Sequence, residues 1–449
     1  MRFRMLTKRE RGMVMKRSLK SVIALSAASV LAIGSLSGCA AQPAATPAAS
    51  GESAAAATQE AAPAASGDVT ELTFWSLFTG DDGATMDGIV AKFNEEHPDI
   101  HVTHMIMSAT DDLYVKLPLV AGDAKQAPDI AVIWSTYIPY FVEKGAIQPA
   151  SEILDPFENL KEENFTSPEL VRYKDERYGA MLDFPSVTLW VNTDLVEKYD
   201  PGILEDGIIT WDEAFEIGEK IKEAGDAENV KVLACDWDTN DIEQSMLENG
   251  FNYTDDGVTL KLTEDDVKKM IEPYKKLNDE GMFMPEGSDA FGMFAQGAAV
   301  FCSGGTWSLN TVKEMPFGWV EIPPIQIDPE NAITNAVAHT FVLPTQEYTD
   351  AEKTAIGTFI SWFEDNAMMW AQAGSIVANK AVSESEEFKA LPQYTVSSKM
   401  KPAAPNYIYI SIAEDTIHKY GWQAVYGQMS VDDYATAIIS EIQSQTAAQ

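Results

Sequence analysis

Residues Arg177–Leu195 read RYGAMLDFPSVTLWVNTDL. Tyr178 to Leu182 and Val187 to Val191 are short apolar runs with aromatic and β-branched content, which predicts two strands. Asp183-Phe184-Pro185-Ser186 lies between them, and the proline prevents one continuous strand. Asn192-Thr193-Asp194 stops the second run and predicts a helix cap, with the helix beginning near Leu195. The stretch therefore reads as a hinge, where the chain leaves one globular lobe and starts another.

Working outward, Leu72 to Trp75, Ile100 to Ile106 and Pro128 to Trp134 read as strands, with helices expected over Met86 to Glu96 and Leu113 to Ala121. Strand and helix alternating at this spacing imply a parallel sheet with right-handed crossovers. Ligands in such sheets sit beyond the carboxyl ends of the strands, here Trp75 to Asp82 and Trp134 to Tyr140. Past the hinge, Thr210 should cap a helix over Trp211 to Ala224, and Val230 to Cys235 should deliver Asp236-Trp237-Asp238 to a strand end. Helices are expected over Asp241 to Asn249, Glu264 to Glu280 and Phe291 to Gln296, with a hairpin at Asp255-Asp256-Gly257. Ala298 to Phe301 is a strand opening onto Ser303-Gly304-Gly305-Thr306-Trp307, whose glycines let backbone N–H groups approach a ligand.

Four blocks in order resemble the extracellular solute-binding proteins that deliver sugars to ABC importers. They are Pro128-Asp129-Ile130 through Gly145-Ala146-Ile147-Gln148-Pro149, then Tyr178-Gly179 with Trp190 to Leu195, then Thr210-Trp211-Asp212-Glu213, and finally Phe294 to Ala299 with Gly305-Thr306-Trp307. Val191 departs from the pattern, standing where the family often has a second aromatic. The resemblance covers nearly all of residues 70 to 440. It implies an α/β, two-lobed, type II periplasmic-binding-protein-like fold, each lobe a mostly parallel sheet flanked by helices. It also implies three chain crossings, the later two near Pro323-Pro324 and near Val377-Ala378-Asn379, giving lobe 1 as 68–183 with 325–377 and lobe 2 as 184–324 with 378–449.

The N-terminus reads as a targeting segment. Lys16-Arg17 and Lys20 precede an apolar run, Val22 to Ile33, too short to span a bilayer but suited to a signal peptide. Leu36-Ser37-Gly38-Cys39 then looks like a lipobox, so 1–38 is expected as the signal peptide and Cys39 as the lipidated residue. Residues 40–67 hold 14 Ala with Pro, Ser, Thr and Gly and no aromatic. They cannot bury enough apolar surface to offset chain entropy, so 39–67 is expected as a disordered tether with a reach of about 30 Å.

Composition narrows the function. The chain of 449 residues exceeds what one core organises. Beyond residue 38 it carries 24 basic and 68 acidic residues, a formal charge of −44, which repels phosphate backbones and argues against nucleic acid. No phosphate-cradling loop, nucleophile elbow or metal motif stands out, so no cofactor and no metal are expected. His101 and His104 point to opposite faces of a strand and cannot chelate together. Cys235 and Cys302 end two strands of one lobe, as neighbours able to pair or as free buried thiols.

Trp75, Trp134, Trp237 and Trp307 each end a predicted strand, offering flat surfaces for sugar C–H faces or for a cation. Matching to the family places Trp75, Asp81, Asp82, Trp134 and Trp307 on ligand-contacting positions. Tyr137, Trp190, Asp236, Trp237, Gly305 and His339 complete the candidate set, whereas Trp211, Trp362 and Trp370 are expected in helix packing. The expected protein is a monomeric, lipid-anchored receptor on the outer face of a bacterial cell membrane, without enzymatic activity. It would bind a carbohydrate, of oligosaccharide size, and pass it to an ABC permease. A receptor for a cationic or other small polar solute, a secreted glycosidase and a surface adhesin are the alternatives.

Overall fold

A computed structural model describes residues 69–108 and 112–448; the side chain of Asp81 also lies outside the described set. Its strands are β1 Thr70–Ser76, β2 Ile100–Ile106, β3 Ile130–Trp134, β4 Ile147–Gln148, β5 Arg172–Tyr173, β6 Glu176–Arg177, β7 Gly179–Asp183, β8 Val187–Asn192, β9 Lys231–Cys235, β10 Ala299–Gly305, β11 Trp319–Ile322, β12 Ile333–Asn335, β13 His339–Pro344 and β14 Lys401–Ala403.

The quoted stretch divides the molecule. β7 pairs with β13 in one sheet, ordered β2-β1-β3-β13-β4, whereas β8 lies between β10 and β11 in a second, ordered β11-β8-β10-β9. The chain crosses between the sheets at Asp183 to Ser186. Both strands are buried on both faces, so their sequences show continuous apolar runs rather than alternation. Gly179 is required for the pairing, because a Cβ there would collide with the Phe341 carbonyl oxygen. At the far end, the Asn192 side chain accepts from the amides of Asp194 and Leu195, both at 3.1 Å, and caps the helix Thr193–Tyr199.

In the first lobe β1, β2 and β3 are parallel, as the strand and helix alternation predicts. β13 then returns antiparallel to β3, β4 and β7. In the second lobe only β9 and β10 are parallel. The sheets are therefore mixed rather than mostly parallel: strands arriving after a crossing between lobes are not constrained by a local βαβ crossover. The helix Asp350–Asp365, set by a Thr349/Glu352 capping box, packs Phe359 against Phe74 and Phe93 at ring separations of 5.7 and 5.0 Å. A second capping box, Thr210 with Glu213, starts the helix Trp211–Glu223 over β9.

Residues after Pro323-Pro324 stay with the second lobe longer than expected. The Gln326 side chain exchanges hydrogen bonds with the backbone of Ile333, and Thr334 donates to the Val187 carbonyl at 2.8 Å. The chain joins the first sheet only at His339. Likewise Ile376 and Ala378 still bond to Phe184 and Leu182, and the return to the second lobe is complete at β14, which pairs with β12. No hairpin forms at Asp255-Asp256-Gly257. The Asp256 carboxylate instead accepts from the amides of Val258 and Thr259, closing a side-chain-capped turn. Cys235 and Cys302 are both buried and free.

Candidate functional site

A cavity of about 570 Å³ lies between the two sheets, within the range of small-molecule sites. Its first-lobe wall comes from chain that follows strand ends: Leu77, Thr79, Gly80 and Asp82 after β1, Ser108 after β2 and Trp134 closing β3. Its second-lobe wall carries Trp237, Thr239, Asn240 and Glu243 after β9, and Thr306, Trp307 and Asn310 after β10. Parallel β1, β2 and β3 and parallel β9 and β10 thus aim their carboxyl ends at one space. Asp183, Pro185 and Val187 of the hinge form part of the lining, and Asn335, Trp370, Glu414, Asp415 and His418 complete it with their neighbours.

The polar groups are held from behind. Asp183, 1% exposed, accepts from Trp370 Nε1 and pairs with His339 Nδ1, each at 2.7 Å. Glu243 accepts from the Tyr253 hydroxyl at 2.7 Å and meets the Asn335 amide at 3.4 Å. Glu414 accepts from the Tyr137 hydroxyl at 2.9 Å. Burial pushes Glu243 up to about 7, the Tyr253 and Asn335 bonds only partly opposing it. Burial also pushes Glu414 well above the carboxylate range, with the nearby Glu243 charge adding to the effect. Asp82 is raised by burial too, opposed by His339 and by the amides of Gly83 and Gly80, which its Oδ1 accepts at 2.9 and 3.0 Å. Among the described residues that line the cavity there is no Lys or Arg. No described group of His, Cys, Asp and Glu is arranged to hold a metal ion.

Residues 88–396 match the family model of the bacterial extracellular solute-binding proteins. The chain belongs to that family. Among curated relatives, this solute-binding protein is 25% identical to the sn-glycerol-3-phosphate-binding periplasmic protein UgpB of Rhizobium meliloti, over 55% of this chain and 60% of the relative. It thus spans well under the whole length of that relative. Among solved structures it resembles the sugar-binding protein MalE of Xanthomonas citri, with TM-score 0.69 and 16% identity over 84% of this chain and 98% of that one. It also resembles the cyclic alpha-maltosyl-1,6-maltose binding protein of Arthrobacter globiformis, with TM-score 0.66 and 19% identity over 85% of this chain and all of that one. The fold is the two-lobed, type II periplasmic-binding-protein architecture.

Of the candidate residues, the solute-binding protein places Asp82, Trp134, Trp237, Trp307 and His339 on the cavity wall. Trp75 is a correction: it is 4% exposed, off the lining, with the Lys116 ammonium 4.8 Å from its ring centroid. Trp190 is another, fully buried in β8 with its ring edge-on to Trp319. Tyr137 stands behind the wall, packed among Tyr114, Trp134 and Phe141, and reaches the site only through Glu414. Asp236 is exposed but off the lining, its amide tied to the Ser303 carbonyl. Gly305 is also off the lining and acts through Trp307, because a Cβ there would strike the indole. Asp81 and Cys39 lie outside the described side chains, as do the segments expected as signal peptide, 1–38, and tether, 39–67. Trp370, expected in helix packing, is 1% exposed yet lines the cavity. Asp183, Glu243, Asn335 and Glu414 carried no motif that could single them out among the chain's many acids and amides.

Proposed function

We propose that this protein is an extracytoplasmic receptor that closes two lobes on a carbohydrate and presents it to an ABC importer's permease. The observation that carries the reading is an interlobe cavity lined by four indoles, Trp134, Trp237, Trp307 and Trp370, together with buried carboxyl and amide groups. Indole faces suit the C–H faces of sugar rings, and carboxylates and amides accept hydrogen bonds from hydroxyls. The sugar ligands named for the MalE and cyclic-maltosyl-maltose-binding structures support it. The glycerol phosphate named for the UgpB relative suits this cavity less, because a phosphate would meet carboxyl groups and no Lys or Arg. The receptor makes and breaks no bond. It acts as a monomer, anchored through Cys39 and held off the membrane by residues 40–67, a reading supported by the Leu36 to Cys39 box.

Titration calorimetry with neutral mono- and oligosaccharides, and with sn-glycerol 3-phosphate beside them, tests the reading. Saturable binding of a sugar, lost in Trp237→Ala, is expected. Phosphate binding without sugar binding would overturn it.

A further inference from the structure

Two carboxyl groups and a buried amide meet on the second-lobe wall. Glu243, 2% exposed, comes from the helix Asp238–Glu248, and Glu414 from the helix Ile410–Tyr420 packed beside it. Glu243 accepts from the Tyr253 phenol and from the Asn335 amide, and Glu414 accepts from the Tyr137 phenol. Asn335 adds an independent sign. Its side chain is 5% exposed and lines the cavity, its amide nitrogen is turned to Glu243, and its Oδ1 has no hydrogen-bond partner. A buried, unpartnered oxygen costs about 1–3 kcal/mol.

A group that donates only would complete Asn335 Oδ1 and suit both carboxyl groups in their ionised form. A hydroxyl brings one proton and two lone pairs, which adds acceptors to a corner already rich in them. A protonated amine brings three protons, no lone pair and a positive charge. Trp237, 42% exposed at the start of Glu243's helix, supplies an aromatic face of the kind that attracts ammonium groups. Resting on the carbohydrate reading, we propose that the solute is an amine-bearing sugar, its protonated nitrogen seated between Glu243, Glu414 and Asn335.

The test is calorimetric titration of matched oligosaccharides differing at one substituent: glucosamine oligomers, the same oligomers N-acetylated, and the parent glucose oligomers, with spermidine as a cation lacking sugar rings. The amine form should bind at least tenfold more tightly than the acetylated form and weaken as salt is raised. Glu243→Gln/Glu414→Gln, near-isosteric changes whose folding is checked by melting, should abolish that preference, and Asn335→Ala should reduce it. Equal affinity for amine and acetylated forms would overturn this proposal and leave the carbohydrate reading standing. Tight spermidine binding with no sugar bound would retain the ammonium site and overturn the carbohydrate reading. A preference for the amine that survives in the double Gln variant would also overturn the proposal.

Discussion

The hydroxyl of Tyr137 donates to Glu414 Oε2 at 2.9 Å, joining chain that follows β3 in the first lobe to a helix of the second. The bond crosses the cleft, so it favours the arrangement in which the lobes meet. Tyr137→Phe deletes one oxygen and leaves the ring in its aromatic packing against Tyr114 and Phe141. With a hydrogen bond worth about 1 kcal/mol, the balance should move several-fold toward open forms. Small-angle scattering should report a larger ligand-free radius of gyration, and titration a weaker apparent affinity; identical values for both proteins would show that the bond does not hold the lobes.

Gly305→Ala should act on Trp307 alone. The backbone at Gly305 has φ −135° and ψ 166°, which alanine adopts without strain. The added methyl would strike the six-membered ring of the indole, which must swing away. Sugar affinity should fall at least tenfold while the melting temperature changes little, because the ring is only half-buried. A large loss of stability with affinity kept would make Trp307 a packing residue.

Stability should fall as pH rises through the neutral range. Burial raises Asp241 and Glu243 to about 7 and Glu248 to about 8, against about 4 for carboxyls in the unfolded chain. Between those values the folded state holds protons that the unfolded state has released, so each group contributes fully below about pH 4 and loses its contribution by about pH 8. Each loss is at most about 1.4 kcal/mol per pH unit. Denaturant melts from pH 5 to pH 8 should show the decline, and Glu248→Gln should flatten it. A stability that rises over this interval would contradict the assignment.

Glu321 is fully buried in β11, where the Thr188 hydroxyl is the one group that acts on its carboxyl and no full hydrogen bond is made. Burial pushes its pKa well above the ordinary range, with Thr188 opposing the shift, and the buried carboxyl costs desolvation. Glu321→Met should stabilise the protein by about 1–3 kcal/mol in urea melts, with ligand affinity unchanged. Destabilisation would show that the contact with Thr188 outweighs the desolvation of the carboxyl.

Cys39→Ala tests the anchor: the protein should leave the membrane fraction for the medium or accumulate as precursor. A processed variant that stays membrane-bound would require another attachment.

The crossing at Asp183 to Ser186 was legible because proline and a paired set of apolar runs are local signals, as were the Asn192 and Thr210 caps. The strand-end positions of Trp134, Trp237 and Trp307 followed from sheet topology. The direction of a side chain did not. β8 is buried on both faces, so no polar alternation tells which way Trp190 points. Glu243, Asn335 and Glu414 meet from three distant segments, and nothing local marks one acid among 69. Trp370 has the helical setting of a packing residue, and its role depends on Asp183, which only the fold brings within reach.

Asp183, Pro185 and Val187 belong at once to the cavity and to the crossing between lobes. They are the pivot, and a rotation displaces an atom in proportion to its distance from the axis. Groups at the pivot barely travel when the lobes swing, whereas groups far from it travel most. A solute arriving at the open protein therefore finds Asp183 and its His339 partner already near their final places, and meets groups farther from the pivot afterwards. Departure runs in the reverse order: as the lobes part, contacts far from the pivot are undone before those at the pivot.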